Sequence, residues 1–162
     1  MYQYRMAKFD NLRRIAEVEL RAQTESLPSP LEPSEIDYKA RYNWWVSYFN
    51  RTGDLQNVSM RRVIFVAMIK LNIVGYIAGH LLSQGDIQGE IQSIHILKPQ
   101  QGKGVGKNLL EHLAKWFKTQ GISSVCVSVT HQNPYEQLYM QHGATRVNES
   151  YYLWNDIGQI EP

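Results

Sequence analysis

The stretch from Glu90 to Gly106, E-I-Q-S-I-H-I-L-K-P-Q-Q-G-K-G-V-G, narrows the folds open to this chain more than any other. Its first half is apolar-rich and reads as an extended strand. Its second half is a loop of glycine and lysine. An amphipathic run from Val105 to Gln120 follows at once, with Val105, Leu109, Leu113 and Phe117 recurring every four residues and Leu110 and Trp116 widening the stripe. Gly121 stands where a helix-ending glycine belongs, and Ser124–Thr130 alternates as the next strand. A strand–helix–strand unit of this length predicts a crossover with parallel strands. The loop between strand and helix is also a natural anion site, because unpaired N–H groups and the positive end of the helix dipole point the same way. A phosphate-bearing ligand is therefore expected at Gln101–Lys107.

The flanking segments are antiparallel in character. Residues 3–9 read as a short strand, and a helix is predicted from Asn11, with Asp10 or Asn11 as its cap. Leu27-Pro28-Ser29-Pro30-Leu31-Glu32-Pro33 must end it, since proline forbids helix continuation. A second helix is predicted from Ser34, whose Ser-Glu-Ile-Asp run resembles a capping box, to about Asn50. Arg51–Met60 reads as a loop. Val63–Lys70 and Ile73–Leu82 read as a hairpin joined at Leu71-Asn72. Near the end, Asn133–His142 reads as a short helix with Asn133 as cap and Gly143 ending it, and Thr145–Trp154 as one or two closing strands. The expected fold class is α/β (α+β), a mixed, mostly antiparallel sheet covered by helices.

Composition removes several function classes. At 162 residues the chain suits a single domain, 1–162. Seventeen basic residues against fifteen acidic ones, a net charge of +2, are too balanced to argue for nucleic acid. No apolar run is long enough for a membrane span, and the N-terminus lacks the pattern of a signal peptide. One cysteine, Cys126, fits a reducing, cytoplasmic setting and reads as an inert buried thiol. The five histidines lack metal-ligand spacing, so no metal is expected.

Two common phosphate motifs fail on inspection. A Walker loop needs four residues between its glycines and a hydroxyl after the lysine, whereas Gly102 and Gly106 enclose three and Asn108 follows Lys107. A dinucleotide fingerprint needs G-x-G-x-x-G where this chain has G-K-G-V-G. What remains, Gln101-x-x-Gly104-x-Gly106, resembles the pyrophosphate-binding motif of the GNAT superfamily of N-acetyltransferases, [QR]-x-x-G-x-[GA]. The segment N-P-Y-E-Q-L-Y-M-Q-H-G, residues 133–143, resembles that family's asparagine–tyrosine–glycine segment, and residues 60–145 match its order of elements.

The resemblance implies a GNAT-like sheet of six or seven strands with about four helices, and acetyl-CoA as cosubstrate. It implies that Ile94, His95 and Ile96 present backbone groups to the pantetheine arm. Gln101, Gly102, Lys103, Gly104, Val105, Gly106 and Lys107 would hold the pyrophosphate, with Asn133 bonding the arm. It gives Tyr139 the role of acid toward the departing thiolate and Glu90 that of base toward the amine. Regular alternation would put Glu90 on the face of Gln92, Ile94 and Ile96, with His95 facing away. The subgroup that carries its glutamate on the following strand has Ser128 at that position here, which argues against a close match to the ribosomal-protein acetyltransferases. His131 is a weaker alternative base or an exposed loop residue. The implied acceptor is a primary amine. Glu25, Glu32, Glu35 and Asp37 beside Tyr38, Tyr42, Trp44 and Trp45 suit a small cation if they wall its site. They equally suit helix packing, in which case a protein or peptide amine, or a non-catalytic acyl-CoA-binding module, stays open, as does a homodimer.

Overall fold

In the computed structural model, which describes residues 1–25, 32–53, 55–129 and 134–160, the chain forms seven strands and four α-helices. The strands are β1 (Tyr2–Met6), β2 (Val58–Ile69), β3 (Asn72–Leu82), β4 (Gly89–Ile96), β5 (Val125–Ser128), β6 (Thr145–Asn148) and β7 (Tyr151–Trp154). The helices are α1 (Leu12–Glu25), α2 (Glu35–Phe49), α3 (Val105–Thr119) and α4 (Glu136–Gln141). One sheet runs β1-β2-β3-β4-β5-β7-β6, antiparallel throughout except for the parallel pair β4–β5. The mixed sheet and its crossover are as the sequence predicts.

Each face of the sheet buries its own core. The stripe of α3, Leu109, Leu113 and Phe117, packs with Ile77, Ile91, Ile94 and Ile96 on one face. On the other, Leu12 and Ile15 of α1 and Trp45 and Tyr48 of α2 pack on Ile64, Val66, Tyr76 and Ala78. Alternation along β3 produces this division, since Ile77 faces one core while Tyr76 and Ala78 face the other. The capping box at α2 forms as predicted: Ser34 Oγ accepts from the Asp37 N–H at 3.1 Å, and Asp37 Oδ2 accepts from the Ser34 N–H at 3.0 Å.

Several boundaries differ from expectation. A 3-10 turn, Phe9–Asn11, precedes α1, and Asn11 Oδ1 accepts the Lys8 N–H at 2.8 Å. β2 starts at Val58, inside the predicted loop, because Val58 pairs with Leu82. Long-range pairing overrides local polarity there. α4 starts at Glu136 rather than near residue 133, with Tyr135 at its cap position, while Gly143 ends it as expected with φ +97°. Asn133 and His131, Thr130 and the Leu27–Leu31 part of the proline-rich run lie outside the described residues.

Candidate active site

Among the described residues, β4 and β5 pair only over Gly89–Ile91 and Val125–Val127. Past Ile91, β4 continues along β3, while the described part of β5 continues along β7. The sheet therefore opens between two parallel neighbours. The Leu97 N–H donates to Val74 O at 2.9 Å, so by strand alternation the N–H groups of Ile94 and Ile96 point to the open edge. There the Ile96 N–H donates to Tyr135 Oη at 2.8 Å, and Ile96 O accepts from Gln101 Nε2 at 2.9 Å.

The glycine turn stands at the end of this edge. Gly104 holds φ +85° at the cap position of α3, a conformation that costs any residue with a Cβ, and offers no side-chain acceptor to the helix. The first-turn N–H groups of α3, at Val105, Gly106 and Lys107, are thus presented by backbone geometry alone. Gly106 has a second reason to be glycine. A Cβ there would sit 3.1 Å from Leu138 and 3.2 Å from Ile96, so its absence lets α3 approach α4 and β4. Gln101 anchors the loop to β4 through its side chain. Gly102 and Lys103 are exposed, and Lys107 Nζ stands 3.8 Å from Glu111 Oε1.

Tyr139 is buried in α4, its ring packed on those of Tyr152 and Trp154 at 6.0 Å and 5.6 Å between centroids. Burial, with a smaller contribution from Tyr135, pushes its phenol well above the ordinary tyrosine value. It therefore keeps its proton at neutral pH.

Glu90 does not lie where regular alternation would put it. Ala78 pairs with Ser93 but Gly79 pairs with Ile91, so Gln92 is an extra residue in β4. The bulge reverses the alternation. Ile91, Ile94 and Ile96 all face the α3 core, and Glu90 falls on the opposite face. His95, expected to face away from Glu90, is on that same face, with Nδ1 2.8 Å from Tyr76 Oη. Glu90 Oε1 is 3.0 Å from Nε2 of the fully buried His80, and Tyr48 Oη is 2.9 Å from Nδ1 of that ring. Glu90 Oε2 accepts a long contact from Cys126 Sγ at 3.8 Å. Burial pushes the Cys126 thiol up to about 11, in keeping with the inert thiol expected.

The acids and aromatics of α1 and α2 divide between packing and surface. Arg41 is bidentate to Glu19 at 2.7 Å and 2.8 Å, the buried Trp45 donates to Glu19 at 3.0 Å, and Arg41 lies 4.7 Å over Trp44. These groups clamp α1 to α2. Glu32, Glu35, Tyr38 and Tyr42 line a surface cleft of about 980 Å³, but Arg13, Arg21 and Lys39 line it too and offset the acids. Glu25, at the end of α1, has a buried Oε1 with no hydrogen-bond partner among the described residues and acts electrostatically on Tyr135.

A model of the acetyltransferase (GNAT) family matches residues 14–144. The chain belongs to this family. A search of the curated proteins returns no match. Among solved structures, it is similar to PaiA N-acetyltransferase from Thermoplasma acidophilum, solved in complex with coenzyme A (16% identity, 96% of this chain and 99% of that one, TM-score 0.70). It is also similar to a GNAT-family acetyltransferase from Staphylococcus aureus Mu50 (15%, 96% and 100%, TM-score 0.72). A third is a predicted acetyltransferase from Clostridium acetobutylicum solved with acetyl-CoA (16%, 92% and 93%, TM-score 0.68). At these identities the likeness is one of fold.

In this acetyltransferase the opened edge brings Ile94, Ile96, Gln101 and the glycine turn together with Tyr135, while Tyr139 packs on Tyr152 and Trp154 in the same core. Sequence reasoning missed Tyr135, His80 and Tyr48. His80 carried a signal, since it is the one ring nitrogen base within an otherwise apolar β3 run, I-A-G-H-L-L. Tyr135 and Tyr48 had none to separate them from other tyrosines.

Proposed function

We propose that this acetyltransferase moves an acetyl group from acetyl-CoA to a primary amine by direct attack in a ternary complex, within one domain spanning 1–162. The observation that carries the reading is the parallel opening between β4 and β5, with strand N–H groups along its edge and a bare helix N-terminus at its end. An amide-bearing arm that ends in a diphosphate fits both parts. Ile94, His95 and Ile96 supply the strand edge, residues 101–107 the phosphate end, and Asn133 a further bond to the arm.

The chemistry needs three proton movements. The amine, an ammonium ion at neutral pH, must lose one proton to attack, and Glu90, directly or through a water, takes it. The amine nitrogen bonds to the thioester carbonyl carbon, and a strand N–H stabilises the oxygen that gains charge. The carbon–sulfur bond then breaks with its electron pair on sulfur, which takes the Tyr139 proton. The nitrogen gives its second proton to solvent, and Tyr139 is reprotonated from it. Burial keeps the Tyr139 phenol protonated and neutral at pH 7, so its proton is present when the thiolate departs. No covalent enzyme intermediate is needed.

For the acceptor, the buried Glu25 oxygen, which has no hydrogen-bond partner among the described residues, supports a small cationic amine. The lone buried Cys126 suits a reducing cytoplasm. An amine panel that includes polyamines, aminoglycosides and peptides tests the class. Turnover confined to peptide amines would replace the small-amine reading.

A further inference from the structure

Glu90 is one end of a chain of three side chains. Tyr48 of α2 and His80 of β3 are both fully buried, and Glu90 of β4 keeps about a quarter of its side chain exposed, at 27%. The contacts are 2.9 Å from Tyr48 Oη to His80 Nδ1 and 3.0 Å from His80 Nε2 to Glu90 Oε1. Glu90 pairs with Cys126 one residue before the last β4–β5 pair, at the mouth of the opening.

The direction of the two bonds follows from what each group can do. An ionised carboxylate only accepts, so Nε2 must carry the hydrogen. In a neutral ring Nδ1 is then an acceptor, and the phenol must donate to it. Tyr48 is suited to this: burial, the largest influence, pushes its proton affinity well up despite the nearby Arg62 guanidinium, 5.2 Å from its ring. The chain reads Tyr48 O–H to Nδ1, and Nε2–H to Glu90. It cannot pass a proton from Glu90 inward, because Nε2 is already occupied.

We propose that His80, locked in its Nε2–H tautomer by Tyr48, is a positioning residue that holds the Glu90 carboxylate in place and aimed at the amine. This rests on the reading of Glu90 as base. The other groups facing Glu90 are Cys126 of β5, which bonds its second oxygen, and Tyr151 of β7, which acts on it electrostatically. Neither offers a side-chain N–H, and among the described residues His80 is the donor that fixes Oε1.

The first test needs no variant. Nitrogen-15 NMR of the imidazole in the intact protein should show the Nε2–H tautomer, and an Nδ1–H tautomer would overturn the proposal. The second test is the split between kcat and KM. His80→Leu removes the donor that aims the carboxylate, so kcat should fall by about tenfold or more, as for loss of one hydrogen bond to a charged acceptor, while the KM for acetyl-CoA holds. Tyr48→Phe should show a smaller change of the same sign, and His80→Gln, which keeps an N–H donor, should recover part of the loss. In a Glu90→Gln background, His80→Leu should cost nothing further. An unchanged kcat in His80→Leu, or a full additional loss in that background, would contradict the role. Full activity of Glu90→Gln alone would instead remove Glu90 as base, and the tautomer measurement separates that outcome from a failure of the chain itself.

Discussion

His95 lies with Nδ1 2.8 Å from Tyr76 Oη, and burial holds its pKa down to about 4 from an ordinary 6.5. The unfolded chain therefore binds this proton first as pH falls. The stabilisation is complete above about 6.5 and is lost between there and about 4. Urea midpoints measured across that window should fall less steeply for His95→Gln than for the natural protein, and identical slopes would contradict the assignment. Tyr139 is the second informative residue. If its proton goes to sulfur, Tyr139→Phe should lower kcat by about 10²-fold or more, while the acetyl-CoA dissociation constant barely changes. Rapid-quench kinetics beside calorimetric binding checks both halves, and unchanged kcat would remove Tyr139 from the chemistry.

At the scale of elements, the edge of β4 matters most, because Tyr135 already occupies the Ile96 N–H. A pantetheine amide using that donor must displace the phenol. Tyr135→Phe should accordingly tighten CoA binding, by up to about tenfold for one net hydrogen bond. Weaker binding would mean that Tyr135 itself bonds the ligand. The same element marks what could be read from the sequence. The glycine turn, the α3 stripe and the Ser34 capping box are local patterns, and all three formed. The bulge at Gln92 was not legible, because it depends on which residue of β3 lies opposite. That one residue moved Glu90 and His95 onto a common face. Likewise, the Tyr48–His80 contact exists only because α2 lands on β3, a packing fact with no trace in either segment alone.

Across the whole molecule, β4 lies between two cores and serves both. Its α3 face carries Ile91, Ile94 and Ile96 and leads to the glycine turn, and its other face carries Glu90 and His95 beside α1 and α2. Glu90 pairs with Cys126 where β4 and β5 part, so the proposed reaction has the cosubstrate along the edge and the amine on the Glu90 side. The family was legible through the resemblance carried by the glycine motif, and the mixed sheet with its parallel crossover through the hydrophobic period. The acceptor was not, since the aromatics expected to frame it are largely spent on packing around Glu19 and Arg41. The central claim is acetyl transfer to an amine, and its direct measurement is steady-state thiol release from acetyl-CoA across an amine panel. The account predicts release that depends on amine and saturates in both substrates, with the acetylated amine as product. Binding of acetyl-CoA that persists with no amine-dependent release would contradict it and leave a non-catalytic acyl-CoA-binding module.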